Sequence, residues 1–247
     1  MSKTRSSIVT YTCNAGHYDL PMNGAYQVKS ASTFEDERLN ARATKILSHL
    51  YFPDAEWTIW CDSNLKLLIE PEELLEFFDY PEVGVYGHFK RNSINDEIDA
   101  CKASKKDLSR KLELHRDMPG RLALTFIVIR RNSPKVAAAN NAWWAEVTTK
   151  SRRDQLSFPY TLGPLATYRD IPCKSIHAAR RSFLSNHFFR VPHKQEFVEA
   201  VKIHGLIDGQ SIADNELAKI LNRMHEKQKL GIQGIEVPQV NGKLFQE

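Results

Sequence analysis

The sequence predicts an α/β protein, a three-layer α/β/α sandwich around a mostly parallel sheet. Three observations carry that prediction. Apolar, β-branched runs alternate with segments of helical period up to about residue 150, the pattern of strands joined by crossover helices. The run Leu122-Ala123-Leu124-Thr125-Phe126-Ile127-Val128-Ile129 is almost wholly apolar, as a strand covered on both faces must be. Helix-start signals follow the strands, as at Asn132-Ser133-Pro134, where a cap residue precedes an N1 proline.

Residues 7–13 are β-branched and aromatic and break at Asn14-Ala15-Gly16, giving a first strand and a loop. Over residues 35–50 the period becomes helical. Leu39, Ala43, Ile46, Leu47 and Leu50 form an apolar face, and Arg38, Arg42, Lys45 and His49 form a basic stripe beside it. That stripe is either a solvated face or, beside a crevice, a phosphate-binding one. Residues 57–61 make the next strand. Pro71 opens a helix with Glu72 and Glu73 in its first turn, suited to the helix dipole. A short strand at residues 83–86 ends at Gly87-His88, and residues 94–114 read as a charged, peripheral helix. After Pro134, Val136, Ala139, Trp143 and Val147 face inward, while Trp144 either stacks on a sugar or covers the sheet. Beyond Tyr168 the pattern loosens, and two helices follow at residues 195–204 and 212–229. The expected organisation is a core over residues 1–193 and a helical C-terminal extension over 194–247 packed on it.

With 247 residues, 42% hydrophobic and 26% charged, the composition is that of a soluble globular protein, and the net charge of +4 leans toward anionic partners. The polar start and the lack of any apolar run of the ~18 residues a membrane span needs point to a cytoplasmic protein with no membrane partner. The four scattered cysteines suit reduced thiols, and Cys173, His177, His187 and His193 fit no compact zinc spacing. Walker, Gly-x-Gly-x-x-Gly and Gly-x-Ser-x-Gly motifs are absent, which argues against the P-loop, Rossmann and hydrolase-elbow chemistries.

Chemistry concentrates where strands end. Trp57-Thr58-Ile59-Trp60-Cys61-Asp62-Ser63-Asn64 runs an apolar strand into a carboxylate and then an amide. In open α/β sheets ligands bind at that edge. A carboxylate and a second oxygen ligand one residue apart also suit a hard divalent cation, although a strand-ending Asp can equally cap a turn. Residues 14–19, 62–64, 88–91 and 152–155 would line one edge of a parallel sheet, offering carboxylates, a histidine and arginines to a phosphate-bearing ligand.

Several blocks carry a resemblance to a known family. These are Lys45-Ile46-Leu47-Ser48-His49-Leu50-Tyr51-Phe52-Pro53 followed by residues 57–62, Tyr18-Asp19, His88-Phe89-Lys90-Arg91 with Glu97 downstream, and Arg153-Asp154-Gln155-Leu156-Ser157-Phe158. In order and spacing they resemble a glycosyltransferase-like family first described as a domain of unknown function, with plant cell-wall and microbial members. The resemblance implies a GT-A-like fold, a nucleotide-sugar donor and Mn²⁺ or Mg²⁺. It implies donor contacts from Thr12, Asp19, Arg42, Lys45 and Asp62, and sugar or acceptor contacts from His88, Arg91, Arg153 and Gln155. Asp154 becomes the acceptor base or a carboxylate facing the oxocarbenium-like centre. The metal set becomes Asp62, Asn64 and His187, with Asn64 standing where such enzymes usually carry a second Asp. The acceptor is a glycan or a hydroxylated base in viral DNA. Arg180, Arg181, Arg190 and Lys194, with Phe183, Phe188 and Phe189 between them, would suit a strand of nucleic acid, so a non-catalytic nucleic-acid-binding module is the competing reading.

Overall fold

The structure, a computed structural model, describes residues 7–13, 26–27, 34–104, 110–177 and 182–190. The expected C-terminal helices, the boundary at residue 193 and Asp19 lie outside them, as do Arg180, Arg181 and Lys194. The chain divides into two compact units. The first takes in the described residues of Met1–Ala15, Tyr26–Asp62 and Ile69–Pro172, and the second those of Ser63–Leu68 and Cys173–Glu247.

In chain order the elements are β1 (Ile8–Thr12), β2 (Tyr26–Gln27), α1 (Glu37–Ile46), α2 (Ser48–Tyr51), β3 (Trp57–Cys61), β4 (Leu65–Leu67), α3 (Pro71–Phe77) and β5 (Val83–Gly87). They continue with α4 (Ile94–Ala103), β6 (Ala123–Arg131), α5 (Pro134–Thr149), α6 (Asp154–Thr161), β7 (Ala166–Arg169), β8 (Cys173–His177), β9 (Ser182–Ser185) and β10 (Phe188–Arg190). The first unit holds a six-stranded sheet of order β2-β1-β3-β6-β5-β7. Five strands run one way, and β6 alone is antiparallel to both its neighbours. The expected mostly parallel sheet is present, with one consequence that alternation could not reveal. The start of β6 shares an edge with the ends of β3 and β5.

Period-2 side-chain alternation gives the sheet two apolar faces. On one, Tyr11, Trp60, Val83, Val85 and Val128 pack against Ile46 of α1, Val136, Trp143 and Val147 of α5 and Phe158 of α6. On the other, the ring of Phe78, just past α3, meets Tyr86 at 5.2 Å, and Trp57 meets Tyr80 at 6.3 Å. Helices on both faces make the three layers. In the second unit β4, β10, β9 and β8 form an antiparallel sheet in that order, and all but β4 fall beyond Tyr168, where the sequence pattern loosens.

Two expected helices are shorter than their patterns. The segment expected at 94–114 is α-helical only through Ala103, and a 3₁₀ turn covers Arg110–His115. Nor is it merely peripheral: Ile94, Ile98 and Cys101 are buried with Leu112, Leu122 and Leu156. The segment at 35–50 breaks at Leu47, between α1 and α2. The cause is Arg130, a buried arginine on β6. Its guanidinium donates to the carbonyls of Lys45 (2.7 Å) and Ile46 (3.0 Å), taking over acceptors at the end of α1. It also donates to the Tyr11 hydroxyl at 2.6 Å, which in turn donates to Lys45 O at 3.1 Å. No described carboxylate pairs with Arg130, and the negative end of α1 supplies the compensating charge.

The buried side of α1 is also rotated from the expected apolar face. Asn40, Thr44, Lys45 and Ile46 are buried, while Leu50 is 65% exposed. A lysine from the basic stripe has moved inward because carboxylates wait for it there.

Candidate active site

Lys45 is 3% exposed, and its ammonium lies 2.6 Å from Asp154 Oδ2 and 3.8 Å from Asp62 Oδ1. A lysine so buried must be paired, and here two carboxylates share it. Asp154 is the first residue of α6. Its other oxygen meets Arg42 Nε at 3.0 Å, and Thr125 Oγ1 donates to Oδ2 at 3.1 Å. Its backbone is fixed as well, since Trp143 Nε1 donates to Asp154 O at 2.9 Å. Burial alone would raise the Asp154 carboxyl, but Arg42 and Lys45 outweigh it and hold the group well below the ordinary carboxylate range.

Asp62 leaves β3 at the same edge, and its backbone N–H donates to Phe126 O at 2.8 Å. Trp60 Nε1 donates to its Oδ1 at 2.9 Å, and its other oxygen has no partner among the described residues. With a quarter of its side chain exposed, Asp62 is the accessible carboxylate of the group. It suits the kind of cation site in which a single protein carboxylate is completed by a ligand's phosphates and water. Among the described residues no three His, Cys, Asp or Glu side chains converge, so a cation here would depend on such ligand oxygens.

A second trio lies on the β5 side. Glu97, 2% exposed, pairs with Arg91 Nε at 2.6 Å and Arg153 NH2 at 3.0 Å, and accepts from the Cys101 thiol at 3.5 Å. His88 follows β5, with its backbone N–H bonded to Leu122 O. Its Nδ1 accepts from the backbone N–H groups of Lys90 (3.1 Å) and Arg91 (3.0 Å), and Arg91 NH2 stands 2.9 Å from its Nε2. Burial, then the Arg91 guanidinium, push the ring down to about 4, so it is neutral at pH 7. Gln155 donates to Ala123 O at 2.8 Å, tying α6 to the start of β6. Along this edge Arg42, Lys45, Arg91 and Arg153 outnumber Asp62, Glu97 and Asp154 by one positive charge.

Asp62, His88, Arg91, Arg153 and Asp154, from three of the four expected edge segments, therefore share this edge; residues 14–19 lie outside the described ones. Thr12 ends β1, buried, with no hydrogen-bond partner for its hydroxyl among the described residues. Asn64 and His187 belong to the second unit. Asn64 is fully buried, and His187 bonds through its backbone to Ser185 and Leu68. Trp144, partly buried, packs against the core and edge-on to Phe34 at 5.7 Å.

Residue-level reading passed over Thr125 and left Glu97 without a role. Both carried a signal. Glu97 interrupts the apolar stripe Ile94, Ile98, Cys101, and Thr125 is the lone hydroxyl in the most apolar run of the chain. A polar group in such a place needs a buried partner.

An open α/β sheet binds its ligands at the edge where its strands end, and here that edge carries cations braced by carboxylates. Residues 24–188 match the TOD1/MUCI70, glycosyltransferase-like domain, and the chain belongs to that family. "Probable hexosyltransferase MUCI70" of Arabidopsis thaliana is 24% identical over 182 residues, covering 66% of this chain but only 31% of that relative's length. Among solved structures, a glycosyltransferase involved in the glycosylation of the major capsid of PBCV-1 aligns with a TM-score of 0.37 and 12% identity, over 60% of this chain and 66% of that one. Mouse xyloside xylosyltransferase 1 gives 0.34 and 15%, over 58% and 55%. Likenesses that low decide nothing about the fold. No helix among the described residues is long and apolar enough to cross a membrane.

Proposed function

We propose that the chain is a glycosyltransferase that moves a sugar from a nucleotide-sugar donor to a hydroxyl acceptor at the edge where β3 and β5 end. The observation that carries this reading is the Lys45 ammonium, buried between Asp154 and Asp62 in a member of a glycosyltransferase-like family. In the transfer, the bond from the anomeric carbon to the diphosphate breaks and its electron pair leaves on a phosphate oxygen. The acceptor oxygen bonds to that carbon, and its proton passes to the departing diphosphate or to water. Fixed cations stabilise the growing negative charge without having to reorganise, and Arg42 and Lys45 are so fixed by Asp154. Asp62 has an oxygen without a partner among the described residues with which to hold Mn²⁺ or Mg²⁺, which would add positive charge against the diphosphate. Asp154 takes the second of its two sequence-derived roles. A carboxylate held so far below its ordinary range is a weak base, so it serves as a permanent anion that sets the cations and faces the electron-poor sugar.

The relative's name makes a hexose the first donor sugar to test. The acceptor is a hydroxyl of a glycan or of a modified DNA base. Thermal unfolding across a panel of nucleotide hexoses and pentoses, with and without Mn²⁺, tests the donor class, because a ligand bound only by the folded state raises Tm. One donor should raise Tm in the wild type and not in Asp62→Ala. A flat response across the panel overturns the reading.

A further inference from the structure

We infer that His88 and Arg91 form an oxyanion clasp, two converging hydrogen-bond donors that take one phosphate oxygen, with Glu97 as the positioning residue behind them. The inference rests on the transferase reading for the source of that oxygen, a donor's diphosphate, and on hydrogen-bond counting for everything else.

A neutral imidazole carries one N–H and one lone pair. The backbone N–H groups of Lys90 and Arg91 both point at Nδ1, so the lone pair is there and the proton is on Nε2. The opposite tautomer would set an N–H against two N–H donors and lose both bonds. Yet the group 2.9 Å from Nε2 is Arg91 NH2, and a guanidinium can only donate. Two donors thus stand 2.9 Å apart, and neither atom has an acceptor among the described residues. An oxygen at about 2.9 Å from each nitrogen completes a triangle and satisfies both. An anionic oxygen fits best, since one donor is charged and such bonds are the stronger kind.

Arg91 does not turn away because Glu97 holds its Nε at 2.6 Å from a position inside the protein. Glu97 itself is too buried to touch a ligand. Its second partner, Arg153, adjoins Asp154, so one carboxylate sets both the clasp and the neighbouring cation. Ser93, which caps α4, fixes the turn between His88 and Glu97: its hydroxyl accepts from Asp96 N while Asp96 returns a bond to the Ser93 N–H.

The test uses inorganic pyrophosphate and the full chain labelled with ¹⁵N. Long-range ¹H–¹⁵N spectra, with the His88 signal assigned by its loss in His88→Gln, should show the proton on Nε2 and a shift of that nitrogen as pyrophosphate is added. Calorimetric Kd should weaken about 10-fold or more in Arg91→Lys and in Glu97→Gln. Glu97→Asp should recover part of the loss, and Lys135→Gln, a charge removed elsewhere, should change little. Should Glu97→Gln fail to fold, Arg91→Lys still decides. A His88 signal that ignores pyrophosphate, or equal affinity in the wild type and Arg91→Lys, overturns the clasp. Binding that keeps this dependence in a protein turning over no sugar nucleotide supports the clasp and removes only the transferase reading.

Discussion

Lys45 and Asp154 show how one residue pair can serve both stability and chemistry. Removing one partner of a buried pair leaves the other charge uncompensated, which costs about 3–5 kcal/mol. Asp154→Asn should therefore lower stability to urea by an amount of that order, with Lys45→Met added in the same chain restoring part of it. Additive losses in the double variant would mean the two charges do not depend on one another. Thr125→Val keeps shape and removes one donor to the same carboxylate, so a smaller loss of about 2 kcal/mol is expected from the same measurement. Much at this scale was legible in the sequence. Asp62 and His88 stood out because strand ends that carry polar groups face ligands in such folds, and Asp154 stood out through the family-like block Arg153-Asp154-Gln155. Which lysine turns inward was not legible, because a basic stripe looks alike whether water or carboxylates face it. Only the long-range approach of α6 to α1 distinguishes the two.

At the scale of elements, α1 ends where a residue far along the chain terminates it. Leu47 carries no helix-breaking signal, and the pattern ran through it to Leu50. The stop lies in Arg130, visible in sequence only as the charged residue that follows an apolar run. Arg130→Met should fray this end. Amide exchange at Leu47, whose N–H bonds to Ala43 O, should quicken relative to amides in the middle of α5. Unchanged exchange would show that α1 closes on its own. The lone antiparallel strand was equally hidden. An apolar strand reads the same in either direction, and direction is settled by which neighbours it pairs with. Its reversal is what brings Thr125 to Asp154 and the Ala123 carbonyl to Gln155.

For the whole molecule, stability should depend on pH through His88. Its folded pKa is depressed to about 4 from an ordinary value of about 6.5. Between those values the unfolded chain binds the proton and the folded one resists it. The contribution is thus complete above about pH 6.5 and is lost as pH falls toward 4. Urea midpoints at pH 7, 5.5 and 4.5 should fall in that order, and His88→Gln should flatten the decline; an equal decline in the variant would assign it elsewhere. Asp154, also depressed, loses its contribution only under more acidic conditions, as pH drops below the ordinary carboxylate range. The architecture and its family were readable in the order of blocks along the chain, whereas the pairing of two carboxylates with two cations each required the fold. The central claim is that this paired edge drives sugar transfer, and the most direct measurement is turnover of nucleotide hexoses by the wild type, Lys45→Met and Asp62→Ala, each first shown to be folded. The account predicts wild-type turnover of at least one donor and a loss of about 100-fold or more in both variants, in line with removing fixed electrostatic stabilisation. Undiminished turnover in the variants, or none by folded wild type with any donor, would contradict it.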